Sequence, residues 1–469
     1  MSSTKNLVNT SEERLSEETT DISLQENLIK TKNSEEQQLE MIDRLPIHKR
    51  IFRKMEKGSL RFVVISWIRF SLGMGVLSLP FFCSQLGLLG GIVAIIIAAF
   101  MFYYSSKGVL LSSIEFGQDN YPDLIKENLP TFISNIFYFT FTWDLSSLFV
   151  FYPIITWNVF CNMLVIFGYY KEDWVRDTNT MEFYDYHSEV FLMRVVYFIT
   201  LYVLSIPFLL KKEIRSLKNI SYCFLALYII FIIYLSIEAP FFRQSFISKG
   251  TYSITYLFKM PSLYTFTVFF SMMNIFYVQP YILDMKNMLR CPTKGRCLKV
   301  AKTSAILEFA MYTLFGCWIY FCFGDNSIPI LIFTRKPYEG KNMVSEQIFR
   351  SLLMIYLFVF AIGISVYNPS LRNLLVKRIP MKNKKLQYRL FSLVPFLIGC
   401  SICILYPSIT GLMAITAVKT IFNAFIIPNF LWMKILKQRK NEYGILFLHL
   451  YNFILVIVGI LELIGTFNH

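Results

Sequence analysis

The feature that most constrains the fold is an interrupted apolar stretch from Arg61 to Cys83, RFVVISWIRFSLGMGVLSLPFFC. About 20 apolar residues are enough for a helix to cross the roughly 30 Å hydrocarbon core of a bilayer. Gly73, Gly75 and Pro80 lie inside this stretch and disfavour a continuous helix. In hydrocarbon, backbone groups freed by a break need partners from protein, water or a ligand. The stretch therefore predicts either a broken spanning helix with a binding site at the break or a glycine-rich helix packed closely on its neighbours.

Apolar runs of spanning length recur along the 469-residue chain, of which 55% is hydrophobic and 16% is charged. Soluble domains carry about 25% charged residues, so the composition predicts an all-α polytopic membrane protein. We place about eleven transmembrane helices, near residues 62–83, 87–112, 132–167, 189–210, 219–238, 262–284, 301–323, 346–374, 388–406, 409–433 and 444–465.

The loops between these spans alternate in charge. Four of them, at 211–218, 286–302, 372–389 and 434–440, each hold at least four Lys or Arg, whereas the loop at 168–188 is acidic. Basic loops remain on the cytosolic side, so the N-terminus is expected in the cytosol. Topology also explains the net charge of +15, and no nucleic-acid partner is expected.

An odd count of eleven leaves ten spans once the last is set aside, and ten divide into two inverted halves of five. That plan predicts that the sixth span is broken like the first. Its centre reads FSMMNIFYVQP from Phe270 to Pro280, with Ser, Asn, Gln and Pro inside an apolar run. Asn274 and Gln279 are expected either to cap this break or to hydrogen-bond within the helix bundle.

The chain divides into three regions. Residues 1–47 are rich in Ser, Thr, Glu, Asn and Gln and are predicted to form a disordered, acidic cytosolic tail. Residues 48–61 form a basic juxtamembrane segment suited to the cytosolic headgroup surface. Residues 62–465 form the transmembrane domain, whose surroundings are the lipid bilayer.

Four ionisable residues fall inside predicted spans: Arg69, Asp144, Glu308 and Lys419. Charges at the centre of a bilayer are costly and are therefore candidates for function. One interpretation is two ion pairs that hold the bundle together; the other is coupling or gating, by proton relay or contact with a substrate charge. Asp144 is the leading candidate because it lies near the middle of its span.

Motifs of catalysis are missing from the sequence. It contains no nucleotide-binding glycine loop, no zinc-protease motif and no hydrolase nucleophile elbow. The four histidines are dispersed. We therefore expect no enzyme activity, no cofactor and no metal site, and the sequence carries no argument for an oligomer.

Seven short motifs together resemble the amino acid/auxin permease family across most of residues 60–465. They are Gly73–Pro80, Tyr121–Leu124, Pro207–Ser221, Phe270-Ser271 with Asp284-Met285, Tyr320–Asp325, Asn368-Pro369 with Arg372, and Ile427-Pro428. The resemblance implies a LeuT-like fold, with five-plus-five inverted repeats and broken helices one and six. It also implies a secondary active amino-acid transporter in the plasma membrane or in a vacuolar or lysosomal membrane.

Two positions depart from the family pattern: Ile275 replaces its histidine in span six, and Arg69 replaces an asparagine that lies at the sodium site of sodium-coupled members. Proton coupling or exchange is therefore expected rather than sodium coupling. The alternative to a transporter is a membrane sensor that binds an amino acid and signals through the cytosolic tail without carrying it.

The resemblance and the breaks together predict where the substrate binds. We expect an amino acid between two segments, with its carboxylate on backbone N–H groups and its ammonium on freed carbonyls. The candidate residues are Ser71, Leu72, Gly73, Met74, Gly75 and Val76 in the first segment and Ser271, Met272, Met273, Asn274 and Tyr277 in the second.

Overall fold

A computed structural model of the chain describes residues 58–72, 74–169, 188–211, 218–260, 262, 265, 268–269, 272, 274–327, 338, 340–363, 368–405 and 419–467. Within these ranges the regular structure is helical. The α-helices are α1 Leu60–Ser71, α2 Leu79–Leu86, α3 Leu88–Glu115, α4 Tyr121–Asn128, α5 Thr131–Ile166, α6 Ser188–Leu209, α7 Lys218–Ser248, α8 Ile282–Met288, α9 Lys294–Phe323, α10 Met343–Gly363, α11 Asn368–Arg378, α12 Lys384–Leu405, α13 Ile427–Gln438 and α14 Glu442–Phe467.

Seven helices of the described part are long and apolar enough to cross a membrane. They correspond to α3, α5, α6, α7, α9, α12 and α14. The bent pair α1 and α2 passes the same test when its halves are taken together, which makes eight. The helical class predicted from composition is therefore confirmed, and the chain is an integral multi-pass membrane protein.

Several predicted spans differ in their bounds from the helices of the structure. The span expected at 219–238 continues as α7 to Ser248. The span expected at 346–374 is described as α10, Met343–Gly363, and α11, Asn368–Arg378, and residues 364–367 between them lie outside the described ranges. Pro369 suits the first turn of α11, where no N–H is needed within the helix. Asn368 anchors this start because its side-chain Nδ2 donates to the carbonyls of Leu209 and Ser392 at 2.9 and 3.1 Å.

Helix α9 organises the part of the bundle that concerns the site. It packs against α1, α2, α3 and α7. Large apolar side chains on the outer faces of the helices remain exposed, among them Phe100 on α3, Ile199 on α6 and Leu314 on α9. A soluble protein rarely exposes such extensive apolar surface, whereas a bilayer solvates it.

Between α12 and α13 the described chain resumes at Lys419 and forms a π-helix, Phe422–Ile426. The extra residue per turn frees carbonyl groups for other partners. Ser105 on α3 donates to the Ala424 carbonyl, and Thr140 on α5 donates to the Asn423 side-chain oxygen at 2.7 Å. These bonds join three helices just beyond Lys419.

Candidate functional site

The first predicted break is present as a helix end. Helix α1 stops at Ser71, whose hydroxyl donates to the Ile68 carbonyl at 2.9 Å, and Leu72 has non-helical backbone angles of φ −70° and ψ 68°. A 3-10 helix, Met74–Ser78, leads into α2, where Pro80 occupies the first turn. The two halves are bent by 59°. The interruption lies inside the stretch that the glycines and the proline indicated.

The predicted sixth span is also irregular where it is described. Two short 3-10 helices, Asn274–Phe276 and Gln279–Tyr281, precede α8. The side chain of Gln279 accepts the Val278 N–H at 3.0 Å and donates to the Ser105 hydroxyl at 3.2 Å. The two alternatives expected for Gln279 thus occur together, since it caps a free backbone group and also binds a neighbouring helix.

The two interrupted segments meet. The 3-10 helix Met74–Ser78 contacts the 3-10 helix Asn274–Phe276. Near this contact Phe70 stacks on Tyr281 with ring centroids 4.8 Å apart, and Phe276 packs edge-on against Tyr312, also at 4.8 Å. The non-helical backbone of both segments therefore lies inside the helix bundle, next to aromatic rings.

Tyr312 on α9 takes part in the break of α1. Its hydroxyl donates to the Ser71 carbonyl at 3.2 Å. The last carbonyls of any helix lack partners within that helix, so this bond satisfies one of them inside the protein. Tyr312 was not predicted from the sequence. Its position four residues after Glu308, on the same helix face, was the available signal.

Glu308 lies one turn before Tyr312 and is 3% exposed. Its carboxyl group interacts with the side chains of Ser71 and Trp67 on α1. The oxygen Oε1 has no hydrogen-bond partner within the described ranges. No ion pair is found for Glu308 among those residues either. The carboxyl group therefore lies at the break with one oxygen that the described residues leave unpaired.

Asp144 and Lys419 form a buried ion pair. Lys419 Nζ lies 2.7 Å from Asp144 Oδ1, both side chains are 8% exposed, and Lys419 also donates to the Ser147 hydroxyl. The Tyr277 hydroxyl faces Asp144 but makes no hydrogen bond within the described part of the chain. The ion-pair interpretation thus holds for these two of the four intramembrane charges, and the pair joins α5 to the segment before α13.

Arg69, the fourth intramembrane charge, lies on the last turn of α1 and is half-buried. Its guanidinium lies 5.0 Å from the centre of the Phe70 ring. A cation over an aromatic face is a favourable arrangement. Arg69 therefore lies close to the break, next to the Phe70–Tyr281 stack, and its coupling role stays a prediction.

The remaining predicted substrate residues are described to different extents. Leu72, Val76 and Met272 are buried with exposures of 1%, 0% and 0%. For Met74, Gly75 and Asn274 only the backbone is described. Gly73, Ser271 and Met273 lie outside the described residues.

A second cluster of buried charges, which was not predicted from the sequence, lies between α7 and α10. Lys341 pairs with Glu238 on α7 and with Glu346 on α10, and Arg350 Nε binds Glu346 Oε1 at 2.7 Å. All four side chains are 6% exposed or less. Glu238 and Glu346 stand at predicted span ends and Lys341 in a predicted loop, so position along the chain did not indicate that they meet.

Metal binding has no visible basis in the described ranges. No group of three or more His, Cys, Asp or Glu side chains there is arranged to hold an ion.

A family model and known proteins match most of this chain. A family model described as "Transmembrane amino acid transporter protein" matches residues 56–469. The chain is 24% identical over 309 residues to "Putative amino acid transporter AAT1" of Plasmodium falciparum (isolate 3D7), a match that covers 66% of this chain and 46% of that protein. It is 22% identical over 338 residues to the protein of the same name from Plasmodium berghei (strain Anka), covering 70% and 50%. The chain thus spans about half the length of these relatives.

Proposed function

The chain belongs to the family of transmembrane amino acid transporter proteins, and on that premise we propose that it is a secondary active carrier of amino acids. The observation that carries this proposal is the contact between two interrupted segments, Met74–Ser78 and Asn274–Phe276. Non-helical backbone at membrane depth is tolerated where it lines a cavity or is buried in protein, and carriers place their substrate there.

Backbone groups at the first break hold the substrate in this proposal. The carboxylate of the amino acid binds the N–H groups of Gly73, Met74 and Gly75, where the positive end of a helix dipole adds attraction. The ammonium binds freed carbonyls of the two segments. These contacts involve only atoms that all α-amino acids share, so they set the substrate class.

Side chains of the second segment select among amino acids. Met272 is buried beside the break, and Met273, Asn274 and Tyr277 follow it in the chain. Bulky apolar neighbours favour a neutral substrate of medium or large size. Asn274 then contributes a polar contact to the side chain of the substrate.

The remaining parts of the proposal concern architecture and driving force. Eleven spans in a LeuT-like five-plus-five inverted repeat, with the N-terminus in the cytosol, fit the charge alternation of the loops. Arg69 near the first break places a cation where sodium-coupled relatives hold Na⁺, so transport is driven by protons or by exchange. The protein resides in the plasma membrane or in a vacuolar or lysosomal membrane.

Uptake into proteoliposomes tests the proposal. Purified full-length protein is reconstituted and offered a panel of labelled amino acids, with and without Na⁺ and with and without a pH gradient. We expect saturable uptake of one or more neutral amino acids that persists when choline replaces Na⁺. Saturable binding without any flux would instead identify a sensor, and strict Na⁺ dependence would refute the assignment of Arg69 to the cation position.

A further inference from the structure

Glu308 is the intramembrane carboxyl group best placed to bind a transported proton. We propose that the coupling proton binds Glu308 at the break of α1 and leaves along the face of α9 that carries Ser304. This inference rests on the proposed carrier function and names the residue that links substrate movement to the proton.

The first observation is the free oxygen of a deeply buried carboxyl group. Glu308 is 3% exposed, and its Oε1 has no hydrogen-bond partner among the described residues, whereas Asp144 has Lys419 beside it. A buried carboxylate without a cation is strongly unfavourable, and a proton on the free oxygen removes that charge. Of these two carboxyl groups, only Glu308 lacks a neighbouring cation among the described residues.

The second observation is the connection of Glu308 to the substrate segment. Its carboxyl group interacts with the Ser71 side chain, and the Ser71 carbonyl accepts the Tyr312 hydroxyl at 3.2 Å. Ser71 is the last residue of α1 before the break. Any movement of the break therefore changes the surroundings of Glu308, which is what coupling requires.

The third observation is a polar stripe on α9. Ser304, Glu308 and Tyr312 are spaced four residues apart, so they share one face of the helix, and they are 0%, 3% and 0% exposed. The Ser304 hydroxyl also has no partner among the described residues. The stripe runs from the break toward Lys294, the end of α9 that the basic loop places on the cytosolic side.

Several charged and titratable side chains on the helices around α9 have partners other than Glu308. Arg69 lies over Phe70, Lys107 over Trp432 and Arg243 over Phe321, while Cys83 contacts Cys317, Glu238 pairs with Lys341 and Glu115 with Arg439. Among the described titratable groups, Tyr312 is the one that interacts with Glu308.

The proton step needs no reactant besides water. With the break open to the outer side, a hydronium ion transfers its proton to Oε1, which forms the O–H bond of a neutral carboxylic acid. With the break open to the cytosolic side, that bond breaks, the proton passes by way of Ser304 to water, and the carboxylate is restored. No electron changes hands, and one proton crosses with each amino acid.

The test separates proton coupling from substrate movement. Wild type and Glu308→Gln are reconstituted and assayed in two modes: accumulation driven by an inward pH gradient, and counterflow exchange without a gradient. One pH unit supports up to about tenfold accumulation by one proton. We expect Glu308→Gln to lose accumulation entirely and to keep counterflow. The control is Glu115→Gln, which makes the same substitution at an exposed carboxylate and should behave like wild type.

A transport-independent signal decides the cases in which flux is missing. The infrared carbonyl band of a protonated carboxylic acid should titrate with pH in wild type, shift in Glu308→Asp and vanish in Glu308→Gln. If Glu308→Gln fails to fold, as judged by gel filtration, the infrared band of Glu308→Asp is used to test the proposal. A band that does not shift in Glu308→Asp overturns the proposal.

Other outcomes would also refute the assignment. Gradient-driven accumulation that survives in Glu308→Gln, or loss of both transport modes in a folded Glu308→Gln protein, would overturn it. Accumulation that follows a Na⁺ gradient and disappears in Glu308→Gln would show that Glu308 binds Na⁺ and not the coupling proton. A wild type that exchanges amino acids but ignores the pH gradient overturns the inference alone, whereas absence of all flux refutes the carrier function.

Discussion

Two carboxyl groups within the membrane helices, Asp144 and Glu308, are in opposite electrostatic situations. Asp144 on α5 has the Lys419 ammonium at 2.7 Å, whereas Glu308 on α9 has Ser71 and Trp67 of α1 and Tyr312 of its own helix beside it and no cation among the described residues. A compensated charge holds two helices in one arrangement. An uncompensated carboxyl group instead exchanges a proton when its surroundings change. The same residue chemistry therefore serves packing in one region and, in our proposal, transport in the other.

The position of each group relative to the breaks sharpens this contrast. Glu308 interacts with Ser71, the residue at which α1 ends. Asp144 faces the Tyr277 hydroxyl of the second segment, and that hydroxyl has no hydrogen-bond partner by distance and angle among the described residues. Variants at the first break should therefore change transport, and variants of the ion pair should change stability.

The largest effect on transport is expected from a bulkier side chain at the first break. Gly75→Val places a branched side chain where the substrate carboxylate needs close approach to the chain. Transport should fall at least about 100-fold, the scale of loss for a misplacement of about 1 Å in a reacting geometry. The control is Gly295→Val, because a Cβ at Gly295 would meet open space. Unchanged uptake by folded Gly75→Val protein would place the substrate elsewhere.

The next effect concerns the ion pair. Lys419→Met leaves Asp144 buried without its cation and should lower the free energy of unfolding by about 3–5 kcal/mol. The double variant Asp144→Asn/Lys419→Met should recover most of this loss, since a neutral replacement of a buried pair is often tolerated. Denaturant titration in detergent measures both. Glu308→Gln, which strands no cation of the described residues, should change stability by less than about 1 kcal/mol.

If the losses measured for Lys419→Met and Asp144→Asn simply add in the double variant, the two residues act independently. An equally large loss in Glu308→Gln would remove the distinction between the two carboxyl groups.

The smallest effect compares two buried tyrosine hydroxyls. Tyr312→Phe removes the donor to the Ser71 carbonyl and should cost about 1–3 kcal/mol, because that carbonyl is left unsatisfied. Tyr277→Phe removes a hydroxyl without a hydrogen bond among the described residues, so stability should be unchanged or slightly higher. Thermal unfolding in detergent ranks the two variants, and equal losses would contradict the role of Tyr312 at the break.

Much of the architecture was predictable because local chemistry dictates it. Long apolar runs must be helical in lipid, since the backbone has no other way to satisfy its hydrogen bonds. The position of the first break followed from Gly73, Gly75 and Pro80 by the same reasoning. The irregular backbone from Asn274 to Tyr281 followed from polar residues and Pro280 within an apolar run. Each of these features depends on residues that are neighbours in the chain.

The partners of the buried polar groups were decided only by the tertiary structure. Four ionisable residues were indicated from the sequence, but nothing in it showed that Lys419 would meet Asp144, 275 positions away, while Glu308 would meet Ser71 and Trp67. Likewise, Tyr312 as donor to the Ser71 carbonyl and Lys341 between Glu238 and Glu346 emerged from packing alone. Hydrophobic periodicity predicts that a residue is buried. Which residue becomes its electrostatic partner depends on which helices pack together and on how each helix is rotated about its axis.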